Sequence, residues 1–396
     1  MSEFQTPARL RGIEKSLIRQ VFDRARPGSI NLGLGEPDLA TPASVRAAAV
    51  RIIQEEPNGY TPHAGLKLLR ERVAADYLHL RLTPEQVIIT AGSQEALYLA
   101  LMTLVDESDE VLLPDPGFVA YPTIVRMAGG RPLFYRLPAA REFEFDTEEF
   151  RRHLSPRTKV VVLISPSNPT GRILSEKDLS AIADALRGTG AFVISDEIYR
   201  DLYYTHGRPP SISEYYGRTI VIGGLSKSMS MTGWRIGWLC GNKEVVQSAL
   251  ILHGYVTTCA STISQKAALA AWTPEAEQER HQMRRTFRER RDYLLKLISR
   301  ELDLPAVTPE GAFYLMVETS AYASSMRVAE QVLEHGVITV PGVAFGSEGE
   351  GFLRVSFCAD QPILAEGVRR IGEALHALRS SSASDSPVKE TPGDGE

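Results

Sequence analysis

From about residue 85 onward the chain alternates two kinds of segment. Short unbroken apolar runs, "QVIIT" (86–90), "EVLLP" (110–114), "KVVVLIS" (159–165), "AFVIS" (191–195) and "TIVIG" (219–223), are separated by helical patterns. The helical stretches run from about Ser93 to Val105, through "DTEEFRRHL" (146–154), and from about Ser175 to Leu186. A run of Val, Ile and Leu without polar alternation has no solvent side, so such a strand is buried on both faces. Strands of this kind interleaved with helices predict a three-layer α/β domain with a mostly parallel sheet. Beyond about residue 285 the pattern changes to a long helix, then mixed strands and helices ending near Leu378, which predicts a smaller α+β domain. The expected layout is an N-terminal segment (1–40) joining the small domain, a large domain (41–285) and the small domain (286–379). The polar tail "SSSASDSPVKETPGDGE" (380–396) is expected to be disordered.

The bulk numbers narrow the function. The chain has 396 residues and a net charge of -5, so its surface as a whole does not favour nucleic acid. A local exception, Arg280 to Arg300, is densely basic. Its apolar residues Phe287, Leu294, Leu295 and Ile298 recur at helical spacing, so the basic side reads as a solvated helix face. Cys240, Cys259 and Cys358 lie far apart with no CxxC pair or histidine cluster, which argues against a disulfide framework or a metal site. The N-terminus carries charges throughout and has no signal-like apolar stretch, and no run is long enough to span a bilayer. A cytoplasmic protein is expected.

In an open α/β sheet, ligands bind beyond the carboxyl ends of the strands. "QVIIT" leads into "AGSQEAL", "KVVVLIS" into "PSNPTG", "AFVIS" into Asp196, Glu197 and Tyr199, and "TIVIG" into "GLSK". These clusters should gather on one rim. In "GLSKSMSMTGWRIGW" (224–238), Lys227 and Arg235 stand among small and apolar residues in a segment that reads as buried. A lysine shielded from water and near another cation loses its proton easily and attacks aldehydes. That suggests a Schiff base with pyridoxal phosphate, an electron sink for carbanions next to nitrogen. Such a cofactor needs a buried carboxylate for its ring nitrogen, and Asp196, at the end of an apolar strand, qualifies, although a helix N-cap or turn aspartate is also common at such a position. Ser93 and Gln94 open a helix suited to a phosphate, with Arg235 as the fixed positive charge. Tyr199 and Asn168 can donate to the phenolic oxygen, and Phe118 in "PDPGFVAYP" can cover the ring.

With these motifs in view, the chain resembles the class I (fold type I) pyridoxal-phosphate-dependent aminotransferases from about residue 10 to 378. "GLSKSMSMTGWRIG" resembles the family's lysine signature, "SDEIY" (195–199) its aspartate and tyrosine, and "SPSNPTG" (165–171) its asparagine loop. The resemblance implies a cis Asn168–Pro169 bond. It also implies that Gly35 of "LGEPD" lines the substrate carboxylate and that Arg354 of "GEGFLRVSF" grips it through a two-bond fork. Tyr60 of "NGYTPHAGLKLLRE" is implied to reach the phosphate of a neighbouring subunit, hence a homodimer with shared sites. Ser226, beside the lysine, is implied to touch the phosphate. Bacterial aspartate enzymes of the family often carry tryptophan where Phe118 stands and lysine where Gln94 stands, so aspartate as amino donor is less expected.

The implied activity is transamination from an L-amino acid to a 2-oxo acid, with Lys227 freed to act as general base. A carbon–sulfur lyase or an aminocyclopropane-carboxylate-synthase-like enzyme would use the same cofactor residues. A pyridoxal-phosphate-binding regulatory module would carry a DNA-binding domain ahead of the fold, and only a few tens of residues precede it here.

Overall fold

The computed structural model describes residues 5–7 and 10–384, with side chains as far as residue 380. One seven-stranded sheet is built from β1 (Val87–Thr90), β2 (Glu110–Asp115), β3 (Arg131–Arg136), β4 (Thr158–Ile164), β5 (Phe192–Asp196), β6 (Thr219–Gly224) and β7 (Gly237–Gly241). Their spatial order is β1-β7-β6-β5-β4-β2-β3. Six strands share one direction, and β7 alone is reversed, pairing antiparallel with β1 and β6. The expected α/β fold with a mostly parallel sheet is present.

Alternate residues of each strand enter opposite cores, as the unalternated runs require. Val160, Val162, Ile194 and Ile222 pack with Leu97 and Leu101 of the Ser93–Leu104 helix and Val246 of the Lys243–Val256 helix. Their sequence neighbours Val161, Leu163 and Val193 pack on the other face with Leu179, Ile182 and Leu186 of the Glu176–Leu186 helix. Each such buried aliphatic side chain stabilises the fold by about 1.5–3 kcal/mol, so both faces must be covered. Two strands lacked this signature. β3, "RPLFYR", is an edge strand with exposed ends, and β7, "GWLCG", is a short run between glycines.

A second, antiparallel sheet joins β8 (Ala306–Val307), β9 (Tyr314–Glu318), β10 (Val340–Pro341) and β11 (Phe352–Ser356) in the order β10-β11-β9-β8. A two-residue parallel ladder pairs Ile30–Asn31 with Val337–Ile338.

Three expectations are corrected. The long helix starts at Pro274, well before residue 285, because Thr273 caps it and proline suits its first turn. Its basic residues are not all solvated. Arg290 is buried and forks onto both carboxylate oxygens of Asp38 at 2.6 and 2.9 Å, and Arg280 is buried beside Asp201 at 3.4 Å. The helix is packed on two sides, so arginines that looked surplus clamp it to neighbouring loops. Finally, the last helix, Gln361–Ser384, continues past Leu378 into the stretch read as a disordered tail; residues 385–396 of that stretch lie outside the described residues. All three cysteines are free thiols. Among the described residues no helix is long and apolar enough to cross a membrane, and no three His, Cys, Asp or Glu residues are grouped to hold a metal.

Candidate active site

Six co-directional strands put their carboxyl ends on one edge, and reversed β7 begins at that edge, with Gly237 opposite both Thr90 and Gly224. The reversal explains how Arg235, which precedes a strand, joins groups that follow strands. A cavity of ≈ 380 Å³ opens there, lined by Ser93, Gln94, Phe118, Asn168, Asp196, Tyr199, Ser226, Lys227 and Arg235, and also by Gly35 and Arg354. Tyr60 is not among them. It is 89% exposed, in a separate surface depression with Cys259 and Ile263, and does not reach the cavity of its own chain.

Lys227 Nζ donates to the Gly35 carbonyl at 2.7 Å. Burial pulls its pKa below the usual lysine value; the Arg354 and Arg235 charges add to that pull, against Cys358 and Glu36. Asp196 ends β5 fully inside the protein. Its Oδ2 accepts from the Tyr121 hydroxyl at 2.9 Å and its Oδ1 from the Ile198 N–H at 3.2 Å, so it makes a turn contact as well as a cavity contact. Burial nevertheless pushes its pKa up to about 6, only partly countered by those two hydrogen bonds and by Lys227. A buried carboxylate of this kind favours any cation offered to it.

Arg354 projects from β11 into the same cavity. Its guanidinium lies 4.2 Å from the Tyr314 ring centroid and 4.6 Å from that of Phe345. Nη1 donates to Asn168 Oδ1 at 2.7 Å and Nη2 to the Gly33 carbonyl at 2.5 Å, while Nε has no acceptor among the described residues. Asn168, read as a donor to a phenolic oxygen, therefore has its carbonyl oxygen committed to Arg354. The Asn168–Pro169 bond is cis, as are Asp115–Pro116 and Ser165–Pro166. The Tyr199 hydroxyl pairs with that of Tyr314 at 2.8 Å, and burial, with Tyr314 beside it, raises its pKa well above the ordinary value.

Arg235 corrects the reading of a buried charge: it is exposed in the single chain. It sits in a left-handed turn, φ 54°, at the sheet edge, where Nη1 and Nη2 donate to the carbonyls of Thr232 (2.9 Å) and Ala91 (3.1 Å). The guanidinium rests on Gly92, where an added Cβ would fall 2.5 Å from Nη2 and φ is +85°. Glycine is required by both space and conformation. Phe118 is half-buried and meets Tyr121 edge-on, with ring centroids 5.5 Å apart.

Tyr121 and Tyr314 escaped the sequence reading, as did Ile18, Leu34 and Thr232 on the cavity wall. Tyr121 carried a usable signal: it lies three residues after Phe118 in a segment that follows a strand. Tyr314 carried none, since it meets Arg354 only through the β9–β11 register, in which Met316 faces Arg354 and Tyr314 lies diagonally across.

A cavity at strand ends, holding an amine of lowered pKa, a buried carboxylate and a buried guanidinium, defines an α/β enzyme that handles amines and carboxylates. Pyridoxal phosphate fits its chemistry. The helix start at Ser93, with Arg235 laid over Gly92, would suit a phosphate, and the buried Asp196 carboxylate would suit a cation. The model of the family "Aminotransferase class I and II" matches residues 27–371. The Pyrococcus horikoshii aspartate aminotransferase is 35% identical over 374 residues, covering 92% of this chain and 95% of that protein. The Thermococcus litoralis aromatic-amino-acid aminotransferase 2 is 34% identical over 379 residues, covering 93% and 97%. The structure of Thermus thermophilus aspartate aminotransferase with maleate superposes with a TM-score of 0.89 at 34% identity, covering 94% of this chain and 100% of that one. The chain belongs to the class I and II aminotransferases, and it is a transaminase.

Proposed function

We propose that this chain is a pyridoxal-phosphate-dependent aminotransferase that moves the amino group of an L-amino acid to a 2-oxo acid, with Lys227 as the cofactor's tether. The observation that carries the reading is the convergence of Lys227, Asp196 and Arg354 on one cavity of ≈ 380 Å³. Bound pyridoxal phosphate supplies an aldehyde that captures amines and a ring that draws off the electron pair left at the substrate Cα. Ser93, Ser226 and Arg235 would hold its phosphate, Tyr199 and Asn168 its phenolic oxygen, Phe118 its ring face and Asp196 its ring nitrogen.

The substrate carboxylate is received by Arg354 and Gly35. The guanidinium is already held by Asn168, Gly33 and two aromatic rings, so binding costs little rotamer freedom. That fixed grip orients Cα toward Lys227. Lys227 removes the Cα proton and returns it, a task for which its lowered pKa suits it, since a general base works in its neutral form. Tyr314 keeps the Tyr199 hydroxyl in place.

The working unit is proposed to be a cytoplasmic homodimer in which Tyr60 reaches the neighbouring site. Exposed Tyr60, Leu68, Ile251 and Tyr255 support an apolar face for a second copy. The division into a large (41–285) and a small (286–379) domain belongs to the same reading. Lys227→Ala tests it: the variant should lose both the absorbance of bound cofactor and turnover. Full turnover without added amine would falsify the assignment.

A further inference from the structure

The helix that starts at Ser93 has an unexpected residue in its first turn. Ser93 and Gln94 line the cavity, but the next residue is a glutamate, and a carboxylate beside a phosphate anchor would repel the phosphate. Glu95 does not line the cavity. Its side chain turns back, so that Oε2 accepts the Ala91 N–H at 2.5 Å. Oε1 is gripped by the Thr257 hydroxyl and lies 3.0 Å from His253 Nδ1. His253 is completely buried in the Lys243–Val256 helix, and its Nε2 has no partner among the described residues.

The contacts form a chain to the cavity rim. Glu95 fixes the Ala91 backbone through its N–H, and the carbonyl of the same residue, in the next peptide group, accepts from Arg235 Nη2 at 3.1 Å. The start of β7 approaches this turn so closely that a Cβ at Gly237 would fall 2.6 Å from Ser93 N. The turn is thus held by close approach to the start of β7, by Arg235 and by the Glu95 group. Burial alone would raise the pKa of Glu95, but the hydrogen bonds of His253, Thr257 and Ala91 outweigh it and hold the group ionised. Its charge is spent inside the protein, away from the phosphate anchors.

We propose that Glu95, oriented by His253 and Thr257, is a positioning residue that sets the Ala91 backbone and through it the Arg235 guanidinium for phosphate. The proposal rests on the cofactor reading above, because the phosphate is what Arg235 would receive. His253 and Thr257 act only through Glu95 and touch neither substrate nor cofactor.

The test separates phosphate anchoring from general loosening. The full chain, freed of cofactor, is titrated with pyridoxal phosphate and, separately, with pyridoxal, which has the aldehyde but no phosphate. Wild type should prefer the phosphorylated form. In His253→Ala and in the milder Thr257→Val, affinity for pyridoxal phosphate should fall by about tenfold, the scale of one lost hydrogen bond to a charged group. Affinity for pyridoxal should stay the same. An equal loss for both ligands, or none for either, in a Thr257→Val chain that unfolds at the wild-type temperature overturns the proposal. A wild-type chain with no preference between the two ligands overturns the cofactor reading itself.

Discussion

Asp196 is buried with a cost that can be worked out. Only 6% of it is exposed, and burial raises its pKa from 3.8 to about 6 in spite of the hydrogen bonds from Tyr121 and Ile198. An acid whose folded pKa lies above its unfolded value holds its proton more tightly when folded. Its contribution is therefore most favourable below about pH 4, falls between about pH 4 and 6, and stays low above that. A rise of about two units, at about 1.4 kcal/mol per unit, amounts to about 3 kcal/mol. Asp196→Asn removes that penalty. Urea unfolding of the two cofactor-free chains should show a stability difference that moves toward the variant by about 2–3 kcal/mol between about pH 4 and pH 7. Comparing the chains cancels groups such as Asp146, whose lowered pKa takes stability away in acid instead. Adding pyridoxal phosphate to the wild type should shrink the difference, since a cation brought to the carboxylate favours its ionised form. A difference that stays constant with pH would refute the uncompensated burial of Asp196. One that varies with pH but ignores the cofactor would remove Asp196 from the cofactor's site.

Other substitutions probe the remaining supports. A Cβ at Gly35 would fall 1.7 Å from the Tyr314 hydroxyl, so Gly35→Ala should displace Tyr314, break its bond to Tyr199 and lower kcat/KM by about tenfold or more. Unchanged steady-state kinetics would show that the tyrosine pair has no part in the reaction. Arg290→Met removes a fork onto Asp38 and a bond to the Cys358 carbonyl, and urea unfolding should register a loss of about 2 kcal/mol, moderated because Asp38 is 40% exposed. A variant as stable as wild type would mean that the buried arginine is tolerated rather than stabilising. Tyr121→Phe withdraws one donor from Asp196 and should push that carboxyl's pKa further up, seen as a larger pH-dependent difference in the same urea experiment.

The strands that packed on both faces were legible because two-sided burial forces apolar residues into consecutive positions, whatever lies around them. The same locality made the loops after β1, β4, β5 and β6 readable as a rim, and Lys227, Asp196 and Asn168 with them. Arg354 depended on the family resemblance, since an arginine on a strand has no local mark of function. Where a residue's partner is remote, the local pattern misled: Arg280 and Arg290 look like any charged helix face until Asp201 and Asp38 close on them, Asp38 from 252 residues away. Arg235 erred in the opposite direction, reading as buried from its apolar neighbours while a left-handed turn carries it to the surface.

By itself, then, the sequence determined the layered α/β class and which segments bear reactive groups, because burial and turn chemistry act over a few adjacent residues. The reversal of β7, the Tyr199–Tyr314 pair, the Tyr121 bond to Asp196 and the Glu95–His253 clamp were decided only by tertiary structure. Each depends on the register or packing of elements far apart along the chain, and no local pattern encodes which side chain will arrive opposite which.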